Sequence, residues 1–305
     1  MLKDKVLVVT GAGSGLGRAT AIAMADAGAS VVCNDLGAGS HGTESTPGPV
    51  KETVDEIEAA GGTAIASFGD VTDEAYVDDL VGETVSEFGR ADGVVNYAGF
   101  LRDSMTFNMD RDDWNAVVDV HLTGHFTLLK AFGAHWRQRY KDNDLDGQRS
   151  FLSVSSASAL GNPGQVNYSA AKAGVLGLTR TGARDLFQYD VRVNAMMPAA
   201  VTPGLEANLP DNALDSLPGD AATPADVAPL PVVLMSDRAN GITGWTFAIV
   251  DDTVWTVTDP ILDRLGTSDG GWSPEKLVDR IESLVGDRPR EKTDANGLLG
   301  EVFDL

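Results

Sequence analysis

Three things are scarce in this sequence, and each scarcity excludes something. There is one cysteine, Cys33, so no internal disulfide can form, and the chain suits a reducing compartment such as the cytoplasm. Cys33 sits in an apolar run and reads as a buried side chain. No run of about 18 apolar residues occurs, so no membrane-spanning helix is expected. The opening Met1-Leu2-Lys3-Asp4-Lys5 passes straight into a strand-like segment, without the pattern of a secretion signal. Positive charge is also short: 23 Lys and Arg face 45 Asp and Glu, a net charge of -22. That balance argues against nucleic acid or an anionic membrane as partner. Asp outnumbers Glu and Arg outnumbers Lys. Two readings of the acidity are open: adaptation to high salt, where screening relieves self-repulsion, and a merely acidic protein.

What is present is material for a core. At 305 residues and 43% hydrophobic, the chain can build one large α/β domain or two small ones. The run Lys5-Val6-Leu7-Val8-Val9-Thr10 fits a buried parallel strand. Gly11-Ala12-Gly13-Ser14-Gly15-Leu16-Gly17 follows at once, then a helix-like stretch closing at Gly28. Strand, glycine turn and helix together point to a nucleotide site. Glycines let the backbone approach a pyrophosphate, whose charge meets the helix N-terminus. A second strand, Ser30 to Asn34, ends at Asp35, roughly 20 residues past the turn. An acid there can accept from a ribose 2′-hydroxyl and would repel a 2′-phosphate, which favours NAD over NADP. Its bland reading is a strand-end cap.

The same alternation continues. Helices are expected over Val50–Ala60, Asp73–Phe88 and Asp113–Tyr140, the last with a break near Gly124. Strands are expected at Thr63–Phe68, Gly93–Asn96, Ser150–Val154, Val191–Met196 and Trp245–Val250. A helix from Asn167, as N-cap, to about Phe187 and another over Asp226–Ser236 complete the rhythm. Thr202–Pro224, rich in Pro, Ala, Asp and Leu, would suit a lid. This pattern gives a doubly wound parallel α/β sheet. Residues 1–250 form that domain. Residues 251–305 form a C-terminal extension, packing on the domain or on a neighbouring subunit. In the extension Ser273 caps a helix with Pro274 at N1, Gly286 ends it, and Leu277, Ile281 and Leu284 make one apolar stripe.

Within the helix that follows the fifth strand, Tyr168 and Lys172 stand four apart and so share a face. A neighbouring cation favours a phenolate, which would let Tyr168 exchange a proton near neutral pH. Alone, the pair also reads as an exposed Tyr and Lys on an amphipathic helix.

Taken together, Thr10-Gly11-x-x-x-Gly15-x-Gly17, Asn96-x-Ala98-Gly99, Ser155 and Tyr168-x-x-x-Lys172 resemble the short-chain dehydrogenase/reductase family over about residues 3–250. A narrower resemblance, through Asn34-Asp35-Leu36-Gly37, Gly99-Phe100-Leu101-Arg102-Asp103, Val120-His121-Leu122-x-Gly124 and Gly161 to Lys172, is to the (3R)-3-hydroxyacyl-CoA dehydrogenase unit of peroxisomal multifunctional enzyme type 2. Stand-alone microbial relatives, some acting on steroid side-chain CoA esters, are similar also in the tail segment Gly271-Trp272-Ser273-Pro274-Glu275.

The resemblance implies a Rossmann-like sheet of about seven strands in the order 3-2-1-4-5-6-7. It implies NAD as cofactor, a hydroxyacyl or ketoacyl CoA ester as substrate, no metal, and a homodimer or homotetramer. Tyr168 would move the substrate proton, Lys172 would assist it, and Ser155 would donate to the substrate oxygen; the family spacing to Tyr168 selects Ser155 over Ser153, Ser156 and Ser158. Cofactor contacts are implied at Gly11, Ser14, Gly15, Leu16, Gly17, Asp35, Asp70, Val71, Asn96, Ala98, Gly99, Tyr168 and Lys172, and at the backbone of Val201. Two positions depart from the family pattern. Tyr97 stands where a second Asn is common. His121 stands where many members carry a water-holding Asn of the proton relay, and it either replaces that Asn or only holds backbone.

A polyanionic CoA would need local basic charge, for which Arg102, Arg137, Arg139 and Lys141 are the candidates; a solvated basic face is the other reading. Beside the hydroxyacyl-CoA dehydrogenase stand two alternatives. One is a 3-oxoacyl-thioester reductase or hydroxysteroid/secondary alcohol dehydrogenase, and the other a catalytically silent nucleotide-binding protein.

Overall fold

The computed structural model describes residues 1–37, 46–202, 222–258 and 272–285. Strand β1 (Val6–Thr10) leads through the glycine turn into α1 (Gly15–Asp26). Then come β2 (Ser30–Asp35), α2 (Gly48–Ala59), β3 (Thr63–Phe68), α3 (Glu74–Phe88) and β4 (Gly93–Asn96). Beyond β4, α4 (Arg111–Val118) runs through a π-helical turn, Asp119–Thr123, into α5 (Gly124–Lys141). Strand β5 (Arg149–Val154), a 3-10 turn at Ala157–Leu160, α6 (Val166–Leu186) and β6 (Val191–Ala199) follow. Two short helices, α7 (Pro224–Val227) and α8 (Pro229–Met235), precede β7 (Thr246–Val250) and β8 (Thr253–Val257).

The eight strands form one sheet in the order β3-β2-β1-β4-β5-β6-β7-β8. Every pair from β3 to β7 is parallel. The order reverses between β1 and β4, where doubly wound sheets open a crevice at their carboxyl edge. Strand alternation divides the core into two layers. Leu7 and Val9 face Met24 of α1 and Ile57 of α2. Val8 faces the opposite layer, with Leu80 of α3 and Leu128, Phe132 and Trp136 of α5. Trp136 satisfies its indole N–H on the Ala91 carbonyl at 2.8 Å.

The expected strand order holds, and the structure adds β8 at its end. A two-residue link, Asp251-Asp252, with Asp251 at φ 46°, turns the chain back beside β7. Sequence reading did not assign this strand, because Thr253-Val254-Trp255-Thr256-Val257 falls in the segment taken as the C-terminal extension. The chain divides into two compact units, Met1–Thr256 and Val257–Leu305, so the first unit runs past residue 250. Pro229 splits the helix expected over Asp226–Ser236 into two, since proline supplies no N–H to continue the ladder. Gln165, rather than Asn167, occupies the N-cap position of α6. Within the second unit, α9 (Pro274–Val285) starts as expected, with the Lys276 N–H donating to Ser273 Oγ at 3.3 Å. Leu277 and Ile281 are exposed on it. Residues 203–221 of the expected lid, the Leu284 side chain and Gly286 lie outside the described residues.

Candidate active site

The glycine turn is a cradle with no room for side chains. Gly11 has φ +64°, and a Cβ on it would come 2.9 Å from the Tyr97 carbonyl carbon. A Cβ on Gly17 would sit 2.1 Å from the Gly11 oxygen. Ser14 precedes α1 without a side-chain cap bond, and the first turn carries no acid. The free N–H groups of Gly15, Leu16 and Gly17 at this end are therefore available to an anion. Gly15 itself takes φ +51°.

Asp35 lies against this turn. Its Oδ2 accepts from the Gly13 N–H at 2.8 Å and its Oδ1 from the Gly37 N–H at 2.6 Å. The carboxylate thus caps backbone and also stands at the cradle, its Oδ2 lying 2.9 Å from where a Cβ on Gly13 would be. Asp70 turns its carboxylate onto Thr72, at 2.8 Å from both its N–H and its hydroxyl. Val71 is buried against Gly124, where an added Cβ would come 2.7 Å from its Cγ2. Asn96 Oδ1 accepts from Thr10 Oγ1 at 2.5 Å and from the Ala98 N–H at 3.1 Å. Asn96 Nδ2 is buried with no partner. The departure at Tyr97 has a local use: its hydroxyl meets Thr20 of α1 at 2.6 Å, tying the segment after β4 to the helix of the glycine turn. Val201 donates its N–H to the Ala222 carbonyl at 2.8 Å, so only its carbonyl is left for a ligand. An open cradle, a helix end without acid, a carboxylate at ribose distance along the chain and a buried unpaired amide together fit a nicotinamide dinucleotide.

Across the switch point, α6 brings Tyr168 and Lys172 onto one face as their spacing requires. Lys172 Nζ lies 5.4 Å from the Tyr168 ring centroid. It donates to the Val154 carbonyl at 2.7 Å. Of the serines after β5, Ser156 is the one that lowers the Tyr168 phenol's pKa, and its Oγ accepts from the Ser158 N–H at 3.1 Å. Ser155 instead points inward: it is 2% exposed and its Oγ donates to the Lys172 carbonyl at 2.9 Å. The physical reason is strand alternation. The Ser155 N–H still bonds the Met196 carbonyl at 2.7 Å, so Ser155 continues β5, and Ser156 is the first side chain clear of the sheet. The serine that the family spacing selects, Ser155, is thus turned inward against α6.

His121 sits in the π-helical turn, a local widening often found at functional sites. Its ring stands edge-on to that of Tyr168, centroids 4.9 Å apart at 81°. Its Nε2 meets the Phe100 carbonyl at 2.9 Å, which fixes Nε2 as the protonated nitrogen and leaves Nδ1 buried and unpaired. A Cβ on Gly99 would lie 1.9 Å from the ring, so glycine there makes room for the imidazole. The His121 side chain holds backbone, and its own carbonyl accepts from Nδ1 of His125. His125, fully buried, in turn accepts the Val154 N–H on Nε2 at 3.2 Å. The Val154 peptide is thus held by His125 on one side and holds Lys172 on the other. Sequence reading passed over His125; its spacing of four from His121 was the available signal.

Electrostatics correct one expectation. Burial pushes the Tyr168 phenol up from its ordinary 10.0, with Ser156 lowering it and the Asp103 charge raising it further. Lys172 is itself pushed by burial from 10.5 down to about 7. The pair is adjacent, but desolvation suppresses the ammonium that was expected to acidify the phenol. Burial and the Lys172 charge hold both histidines neutral, His121 well below its ordinary value and His125 at about 3.

Three of the four basic candidates lie away from this site. Helix α5 runs back from the carboxyl edge of β4 to the amino edge of β5, so Arg137, Arg139 and Lys141 at its end face the opposite side of the sheet. Arg137 stacks 5.5 Å from the Tyr189 ring and Arg139 pairs with Asp144 at 2.9 Å. Arg102 remains on the site's side, paired with Asp113 at 3.1 Å. Among the described residues no group of three or more His, Cys, Asp or Glu is placed to hold a metal ion. None of their helices is long and apolar enough to cross a membrane.

Comparison with known proteins agrees with this geometry. A family model described as enoyl-(acyl carrier protein) reductase matches residues 11–251. The chain is 37% identical to hydroxyacyl-CoA dehydrogenase ChsB1 of Mycobacterium tuberculosis, across 96% of this chain and 92% of that one. It is 38% identical to the peroxisomal hydratase-dehydrogenase-epimerase of Saccharomyces cerevisiae, across 99% of this chain and 33% of that longer protein. A crystal structure of a short chain dehydrogenase from Mycobacterium avium superposes with a TM-score of 0.82 at 36% identity, covering 93% of this chain and 95% of that one. With the glycine cradle, the parallel sheet and the Tyr168–Lys172 face in place, the chain belongs to the short-chain dehydrogenase/reductase family.

Proposed function

We propose that this protein is an NAD-dependent dehydrogenase that interconverts a secondary alcohol and a ketone, with a (3R)-3-hydroxyacyl-CoA, including steroid side-chain esters, as substrate. The observation that carries the reading is the Tyr168 phenol, flanked by Ser156 and Lys172 beside an open glycine cradle. A bound nicotinamide supplies the hydride acceptor or donor. The chain's own residues do the rest. The Ser156 hydroxyl donates to the substrate oxygen, placing a dipole where charge develops. Tyr168 takes the hydroxyl proton in oxidation and returns it in reduction. Lys172 keeps one N–H on Val154 and directs its others towards the cofactor ribose and the phenol. We assign Ser155 and His121 to support, Ser155 fixing the α6 backbone at Lys172 and His121 fixing Phe100 beside the phenol.

Asp35 favours NAD, since a 2′-phosphate would meet its carboxylate at the cradle. The acyl-CoA preference rests on the relatives' names, and Arg102 is the cation on the site's side. A homodimer or homotetramer accords with the exposed Phe107 and Phe126, apolar surface of a kind that subunits cover. A 3-oxoacyl-thioester reductase is the second reading, which Asp35 disfavours in its NADPH-dependent form. A silent nucleotide binder is disfavoured by Ser156, Tyr168 and Lys172 standing together. The test is NADH formation with a panel of 3-hydroxyacyl-CoAs, hydroxysteroids and simple secondary alcohols. Turnover of a (3R)-3-hydroxyacyl-CoA above the other classes is expected; no turnover with any substrate and either cofactor would overturn the reading.

A further inference from the structure

Val154 ends β5 one residue beyond the end of β4. The last paired residues of those two strands are Asn96 and Ser153. Ser155 donates its N–H across to Met196 of β6, so Val154 turns its own N–H and carbonyl the other way, towards β4. No β4 residue stands opposite them there. Val154 is buried, and buried backbone groups left unpaired are costly.

Two side chains take the place of the missing strand. His125 Nε2, from α5, accepts the Val154 N–H at 3.2 Å. Lys172 Nζ, from α6, donates to the Val154 carbonyl at 2.7 Å. The partners of His125 fix its tautomer. A carbonyl can only accept, so Nδ1, facing the His121 oxygen, carries the hydrogen; Nε2, facing an N–H, carries the lone pair. A protonated ring would set two N–H groups against each other at Val154. Burial keeps the imidazole neutral down to about 3, so this arrangement holds at neutral pH. At the other end of Lys172, Ser155 Oγ bonds its backbone carbonyl at 2.9 Å. The ammonium end rests on Val154 and stands 5.4 Å from the Tyr168 ring centroid.

We propose that His125 is a positioning residue for Lys172: by accepting the Val154 N–H it pins the end of β5 on which the ammonium rests, and so fixes where the other N–H groups of Lys172 point. The inference deepens the function proposed above, in which those groups serve the cofactor ribose and the phenol. With His125 unable to accept, the end of β5 is held from the β6 side alone, through Ser155 and Met196.

His125→Gln and His125→Met test this, because the two side chains are nearly equal in length and size and only glutamine keeps an acceptor for Val154. NAD affinity is read by nucleotide titration in the original protein and on a Lys172→Met background, with kcat measured beside it. His125→Met should weaken NAD binding about three- to tenfold and lower kcat about tenfold. His125→Gln should stay within about threefold of the original in both. His125→Asn, which keeps a donor for the His121 carbonyl but is too short for Val154, should lose as His125→Met does and serves where that variant does not fold. On the Lys172→Met background the same changes should alter NAD affinity by less than about twofold, since no ammonium is left to misplace. Equal losses in the two backgrounds, equal losses with glutamine and methionine, or full affinity in His125→Asn would overturn the proposal and leave His125 as a core residue. The titration needs no turnover. A protein that oxidises no alcohol yet shows this dependence on Lys172 would sink the dehydrogenase reading and leave the role of His125 standing.

Discussion

Replacing Lys172 by Met should stabilise the protein near neutral pH while removing its activity. Lys172 is 3% exposed, and burial alone brings its pKa from 10.5 down to about 7. Between those two values the unfolded chain binds more protons than the folded one, so stability rises with pH across the window; below it the penalty is full. At about 1.4 kcal/mol per unit, the penalty is ~5 kcal/mol well below neutrality, ~4 kcal/mol at about pH 7 and ~1 kcal/mol at about pH 9.5. Methionine fills a similar volume and removes this term, at a cost of about 1–2 kcal/mol for the lost bond to the Val154 carbonyl. The variant should therefore be more stable by ~2–3 kcal/mol at about pH 7, and this advantage should shrink by ~3 kcal/mol by about pH 9.5. Urea unfolding of both proteins at matched ionic strength measures this, and taking their difference cancels the other titrating groups. A difference that does not change with pH would refute a buried, destabilised ammonium at this position.

The serines separate cleanly. Ser156→Ala should lower kcat about 100-fold or more, as loss of a donor to a developing oxyanion does, while Ser155→Ala should cost under about tenfold; steady-state kinetics of the two variants decide the assignment, and the reverse order would return the donor role to Ser155. Asp35→Ser should raise the NADP to NAD ratio of kcat/KM by about tenfold or more, since it removes a charge that opposes the 2′-phosphate. An unchanged ratio would leave Asp35 as a backbone cap alone. If the net charge of -22 reflects high-salt adaptation, the melting temperature should climb between dilute and molar KCl; a flat profile would mean the protein is simply acidic.

Much of the architecture is legible in the sequence because it is written in local terms. The apolar run of β1, the glycines at 11, 15 and 17 and the helix behind them specify one unit by sterics alone. The spacing of Tyr168 and Lys172 fixes a shared face once a helix is granted, and the break near Gly124 emerges as the π-helical turn that carries His121 inward. What escaped depends on partners far along the chain. Whether Ser155 or Ser156 meets the phenol is decided by how far β5 stays bonded to β6, through the Met196 carbonyl. That Lys172 is too desolvated to acidify Tyr168 follows from burial beneath β5 and the π-helical turn, which spacing does not reveal. Asn167 looks like a cap by residue type, yet its amide is drawn to the Arg102 carbonyl, 65 positions away. Arg137, Arg139 and Lys141 look like a docking patch until helix direction places them at the other edge of the sheet.

The account turns on Tyr168 as the group that moves the substrate proton. The most direct measurement is NADH formation by Tyr168→Phe on the best substrate of the panel, with NAD binding followed separately by nucleotide titration. Turnover should fall by about a thousandfold or more with NAD affinity within about twofold of the original, because the phenylalanine keeps the ring against His121 and loses only the proton-carrying oxygen. Activity retained to within about tenfold would contradict the account.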